Sequence, residues 1–167
     1  MKLTWFGGRT LRIHIGGEIL VCDAEGAAAG IEPRELLSGA DKAFAIGGGA
    51  AVIDAGRWQP RRPAALVDEA QRPEVLVHNI GPSSLLVDAV GEPPLLLLAA
   101  NVSAGRWGRD AVVVAFSGEV AEAALDGMGP RLIALALPEP EEAIAQLRDR
   151  LGSTALVALE PGMALEV

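Results

Sequence analysis

Gly39-Ala40-Asp41-Lys42-Ala43-Phe44-Ala45-Ile46-Gly47-Gly48-Gly49-Ala50-Ala51-Val52 is the stretch on which the fold turns. An aspartate opens it, Ala43–Ile46 reads as a short apolar strand, and three glycines then turn the chain. From Ile46 to Val52 no side chain offers a nitrogen, sulfur or oxygen to a metal. The glycines follow a strand, as a phosphate loop does. Val52, however, stands where a dinucleotide fingerprint has its third glycine, and no Gly-Lys-Ser/Thr follows. The loop reads as a tight turn.

Working outward, short apolar runs separated by Gly, Pro and Asn predict many strands. They are Lys2–Phe6, Leu11–Ile15, Ile19–Asp23, Val75–Asn79, Leu85–Asp88, Leu95–Ala99, Ala111–Phe116, Arg131–Ala136, Ala155–Leu159 and Ala164–Val167, besides Ala43–Ile46. Helices are expected mainly in the carboxyl-terminal half. Ser117 is placed to cap Glu119–Met128, whose Val120, Ala123, Ala124 and Met128 share a face. A second helix is expected over Glu139–Leu151, with Pro140 in its first turn and Gly152 as its stop. Pro33–Ser38 has room for one short turn of helix. Such β–α–β content suits an α+β architecture of two sheets packed face to face with helices outside.

The 167 residues suffice for a single domain spanning 1–167. Hydrophobic residues make up 50% and charged residues 22%, which excludes disorder on composition. The most apolar run, Pro93–Ala100, is far short of the ~20 residues a bilayer-spanning helix needs, so it predicts a buried strand and no membrane association. No secretory leader pattern precedes Lys2, and a cytoplasmic location is expected. A net charge of −8 has the wrong sign for tracking a phosphate backbone, so nucleic acid is not expected as a partner.

The order of these pieces resembles the scaffold of the metallo-β-lactamase-like hydrolase superfamily. Met1–Gly8 is similar to its first strand and turn, with Gly8 where that turn carries His. Ile19-Leu20-Val21-Cys22-Asp23 resembles its apolar strand closing on aspartate, and Leu159–Leu165 its closing strand, Pro-Gly and final strand. The family's His-x-His-x-Asp-His loop, laid on this chain, puts its ligand positions on Gly47, Gly49, Ala51 and Val52. Asn101 falls at the bridging aspartate, and Leu137 at the last metal-binding histidine. The resemblance implies an αββα-type sandwich, truncated, with a thin helical layer on the N-terminal side. It also implies a degenerate member without the family's metal ligands.

Donor counting leads to the same place. A catalytic zinc takes about three protein ligands from His, Cys or carboxylate. The chain has two histidines and one cysteine. His14, in Leu11-Arg12-Ile13-His14-Ile15, and His78, closing Pro73-Glu74-Val75-Leu76-Val77-His78, both read as strand residues satisfied by hydrogen bonds or solvent. Oxygen ligands from Asp23, Asp54 and Asp88 remain formally open to a hard cation, though nothing in their spacing asks for one. No cofactor is expected. Cys22 reads as a small buried hydrophobe and not as a nucleophile, Ser83-Ser84 lacks a Gly-x-Ser-x-Gly context, and there is no tyrosine.

Arg57-Trp58-Gln59-Pro60-Arg61-Arg62-Pro63 joins an aromatic to three guanidiniums and is suited to stacking on or clamping an anion, although a solvated loop is the simpler reading. Ala104-Gly105-Arg106-Trp107 echoes Ala55-Gly56-Arg57-Trp58, four residues being too few to establish a repeat. Arg57, Trp58 and Trp107 are the residues expected to anchor an interface. After Val52, where the resembled family starts a covering helix, the chain runs instead into this proline-rich loop. The apolar sheet left bare predicts cover from Leu85-Leu86-Val87, a homodimer partner or another protein. Two functions stand open. One is a catalytically inert binding or assembly module; the other is a metal-independent or atypical-metal hydrolase rebuilt from Asp23, His78 and Asn101 in the old cleft.

Overall fold

Side chains alternate across a strand, so each β-sheet sorts its residues onto two faces, and here the sorting builds three layers. The computed structural model describes residues 1–62 and 74–167. Pro63 and Pro73, at the ends of two stretches quoted above, lie outside the described residues. In chain order the strands are β1 (Lys2–Trp5), β2 (Leu11–Ile15), β3 (Glu18–Cys22), β4 (Lys42–Phe44), β5 (Ala51–Val52) and β6 (Leu76–Gly81). They continue with β7 (Ser84–Asp88), β8 (Leu95–Leu98), β9 (Val112–Ala115), β10 (Leu132–Leu135), β11 (Ala155–Ala158) and β12 (Ala164–Glu166). A five-stranded sheet has the order β12-β1-β2-β3-β4, and a seven-stranded sheet β11-β10-β9-β8-β7-β6-β5. Both are mixed. Hairpins join β1 to β2, β2 to β3, β6 to β7 and β7 to β8, whereas β8, β9, β10 and β11 run parallel.

Between the sheets lie Leu3, Trp5, Leu11, Ile13, Ile15, Leu20 and Cys22 from one side and Leu85, Val87, Leu95, Leu97, Val112, Val114 and Ala134 from the other. The opposite face of the seven-stranded sheet carries Leu86, Leu96, Leu98, Val113, Ala115, Ile133 and Leu135. This face is covered by α2 (Gly118–Met128) and α3 (Glu141–Leu147) through Val120, Ala121, Ala124, Leu125, Met128, Ala143 and Leu147. Buried on both faces, β8 is apolar at every position, as its leucine run requires. Each such leucine contributes about 1.5–3 kcal/mol of transfer free energy.

Ser117 caps α2 as expected, its Oγ accepting the Val120 N–H at 3.2 Å, and Gly129 ends the helix at φ 55°. The second helix is shorter than expected. Glu139 precedes a proline and is thereby disfavoured in helical conformation, so Pro140 becomes the cap. At the other end tight bonds from Arg150 N to Leu147 O and from Thr154 N to Leu151 O replace helical ones. A short helix α1 (Pro33–Leu37) forms where one turn was expected. The two-residue β5 and the 3-10 turns Ala24–Gly26 and Arg106–Asp110 carried no periodic signal long enough to read.

The expectation of a bare apolar sheet is corrected. The outer face of the five-stranded sheet presents the polar side chains of Lys2, Thr4, Arg12 and His14. Among the described residues only α1 lies on it, held by the Arg12 guanidinium donating to the Leu36 and Ser38 carbonyls, and there Val21 and Leu36 are buried. Leu85-Leu86-Val87 covers no gap, being the middle of central strand β7. After Val52, residues 53–62 cross the helix-side face of the seven-stranded sheet without forming a helix, with Ile53, Ala55 and Trp58 packed there.

Candidate functional site

The proline-bracketed loop and the turn after β8 meet on that helix-side face. Asp54 opens the loop as an Asx turn, its Oδ1 accepting Gly56 N at 2.9 Å and its carbonyl accepting Trp58 N at 2.9 Å. Arg57 is left outside, 90% exposed at its side chain and 3.5 Å from Asp54 Oδ2. Trp107, in the 3-10 turn, is only 7% exposed and donates its indole N–H to Ala55 O at 2.9 Å. The two indoles meet edge to face, centroids 4.7 Å apart at 74°.

The echoing tetrapeptides are therefore spatial partners. Gly105 N donates to Ala55 O at 3.3 Å, and a Cβ on Gly105 would lie 2.9 Å from Gly56 O. Glycine is required there by close approach. Trp107 is thus a packed residue, while Trp58 is half-buried and Arg57 exposed; together with Arg62 and Arg106 they border an open groove of about 770 Å³. Arg61 does not face outward. Its Nε donates to Asp88 Oδ2 at 2.5 Å, and its Nη2 to the carbonyls of Glu74 and Asp88.

Asp23, His78 and Asn101 are not brought together. Asp23 ends β3 in the left-handed region at φ 47°, its Oδ1 accepting Ile46 N at 3.2 Å. Burial raises its carboxyl above the usual range, opposed by that N–H and by Arg9. His78 pairs across from Leu86 and so points to the helix side of the seven-stranded sheet, the side away from the five-stranded sheet that holds Asp23. Burial lowers its pKa, with Asp88 pulling up and Arg61 down, and its Nδ1 is buried with no hydrogen-bond partner among the described residues. Asn101 is exposed beyond the end of β8.

The positions corresponding to the resembled family's ligands do not fit a metal. Gly47, Gly49 and Ala51 have no donor, Val52 is 80% exposed, and Leu137 packs into the helix-side cluster. Among the described residues no three of His, Cys, Asp and Glu gather closely enough to hold an ion. Cys22 is fully buried, and its thiol is pushed well above the usual range by burial and then by the Asp23 carboxylate, so it stays protonated. Beside the glycine loop, Phe44, Ala50, Val75 and Val77 line an opening of about 480 Å³ between the edges of the two sheets. Lys42 bridges that edge, 3.2 Å from Glu18 Oε2 and 3.0 Å from Glu74 Oε1, and donates to Val75 O at 2.6 Å. Sequence reasoning missed this bridge because its members come from three separate strands and loops.

No family model and no curated protein matches the chain. Among solved structures it is similar to Igni18, described as a novel metallo hydrolase from the hyperthermophilic archaeon Ignicoccus hospitalis KIN4/I. The two share 13% identity over 99% of this chain and 98% of that one, with a TM-score of 0.53. The fold is metallo-hydrolase-like. At this identity the likeness concerns the arrangement of the two mixed sheets and their helices, not the chemistry at their rim. No helix of the described residues in this metallo-hydrolase-like fold is long and apolar enough to cross a membrane.

Proposed function

We propose that the chain is a single metallo-β-lactamase-type sandwich that has lost the family's metal site and serves as a cytoplasmic binding or assembly module. One observation carries this reading: the loop Ile46–Val52 and positions Asn101 and Leu137 supply just one side-chain donor, the Asn101 amide, where the resembled family places its ligands. A divalent ion needs several converging electron-pair donors. The binding surface is the groove of Arg57 and Trp58 over the buried Trp107, a half-buried aromatic beside an exposed guanidinium being the composition of interface anchors. A second copy of the chain or another protein docks there. The rebuilt hydrolase site has less support, because the seven-stranded sheet separates His78 from Asp23.

The test is metal analysis after incubation with zinc or manganese and dialysis, run beside an esterase, phosphodiesterase and lactamase panel. Far less than one ion per chain and no turnover are expected. Stoichiometric metal, lost in Asp23→Ala or His78→Ala, would establish the rebuilt enzyme instead. Light scattering at high concentration reports on self-association, and a strict monomer removes the second copy as occupant.

A further inference from the structure

At the end of the seven-stranded sheet where the parallel strands begin, a second groove of about 1140 Å³ opens between the 3-10 turn Arg106–Asp110, the end of α2 and the segment before β11. It lies at the opposite end of these strands from Asn101 and Leu137, which follow β8 and β10. Four guanidiniums line it, those of Arg106, Arg109, Arg131 and Arg150, against the two carboxylates of Asp110 and Asp126. In a chain of net charge −8 this is a local reversal of sign.

Arg150 is already committed. It donates to Asp126 Oδ1 and Oδ2 at 2.7 and 2.6 Å and to Glu122, which answers both acids of α2. Arg106, Arg109 and Arg131 pair with no carboxylate among the described residues, and all three are exposed. Their backbones are nonetheless fixed. Arg131 sits in strand register, its N–H donating to Ala111 O at 3.1 Å and its carbonyl accepting from Ala155 N at 3.0 Å. Trp107, between the other two, is buried and bonded to Ala55. A Cβ at Gly127 or Gly152 would meet nothing within 4 Å, so the groove is open and not filled by side chains.

We propose that this groove binds a polyphosphate anion. Guanidinium forks pair bidentately with phosphate oxygens, and a groove with like charges along its wall focuses attraction on a multiply charged ligand. Because the guanidiniums come from two separate elements, the 3-10 turn and the start of β10, they match an anion charged at several points and not a single carboxylate. Arg106 borders the Trp58 groove as well, whereas Arg109 and Arg131 line this groove alone and are the residues the test alters.

Inorganic tripolyphosphate, titrated calorimetrically into the full chain at low salt, tests it. Saturable binding of one anion per chain is expected, weakened at least tenfold in Arg109→Gln/Arg131→Gln and weakened again by raising the salt, since added ions screen the exposed guanidiniums. Arg148→Gln, an exposed arginine outside the groove, should bind as the unaltered chain does. Unfolding midpoints of all variants confirm that they fold. Absence of saturable binding below 1 mM overturns the proposal, as does equal weakening in the Arg148 variant or none in the double variant.

Discussion

Arg61 reaches to Asp88, its Nε 2.5 Å from Oδ2, and among the described residues this is the one ion pair of the loop whose acid is buried, at 4% side-chain exposure. The carboxylate depends on it. Removing the guanidinium in Arg61→Ala leaves a buried charge without a partner, a loss of about 3–5 kcal/mol. Urea unfolding should show that drop, and Asp88→Asn in the same background should recover part of it by removing the charge. An Arg61→Ala chain as stable as the original would mean that water replaces the guanidinium.

Trp107 holds the loop by packing and by a single indole bond to Ala55 O. Trp107→Phe keeps much of the apolar area but leaves that carbonyl with the Gly105 N–H alone, and a loss of about 0.5–1.5 kcal/mol is expected. Near-ultraviolet circular dichroism should change together with the unfolding midpoint, because Trp58 loses the indole chromophore that contacts it. A spectrum that changes without loss of stability would show that the loop is held elsewhere.

His78 gives the fold an acid-sensitive element. Burial lowers its pKa, so the folded state favours the neutral ring. The associated stability is present above the ordinary histidine value of about 6.5 and is lost as pH falls through the lower folded value. His14 is shifted the same way by partial burial and by Arg12 and Lys2. Denaturation midpoints measured between about pH 7.5 and 5 should fall less steeply for His78→Gln than for the unaltered chain. Identical slopes would assign the acid sensitivity to His14 or to carboxylates.

Cys22 should resist a disulfide reagent in the folded protein. Its thiol is fully buried and held protonated, and only a thiolate attacks. Labelling should then proceed no faster than the opening of the sandwich and accelerate with denaturant. Rapid labelling of the native chain would place the thiol in reach of solvent.

Much of this architecture was legible in the amino-acid order. Periodicity located β2 residue for residue and the other strands from β1 to β4 and from β6 to β12 to within a residue or two, because a half-buried strand must alternate and a doubly buried one must be apolar throughout. The Ser117 cap was readable for the same local reason. The donor-free loop after Phe44 was equally plain, since composition alone decides whether a metal can be gripped there. Which residues meet across the fold was not in that local pattern. That His78 lies behind the sheet from Asp23 follows from the strand face it occupies; that Arg61 turns inward to Asp88 while Arg57 faces water, and that Trp107 is packed while Trp58 is half-open, follow from how their loop and turn pack on the sheet. Faces are fixed by pairing between distant segments, and the echo of Ala55–Trp58 in Ala104–Trp107 became a contact only once the two turns were folded against one another.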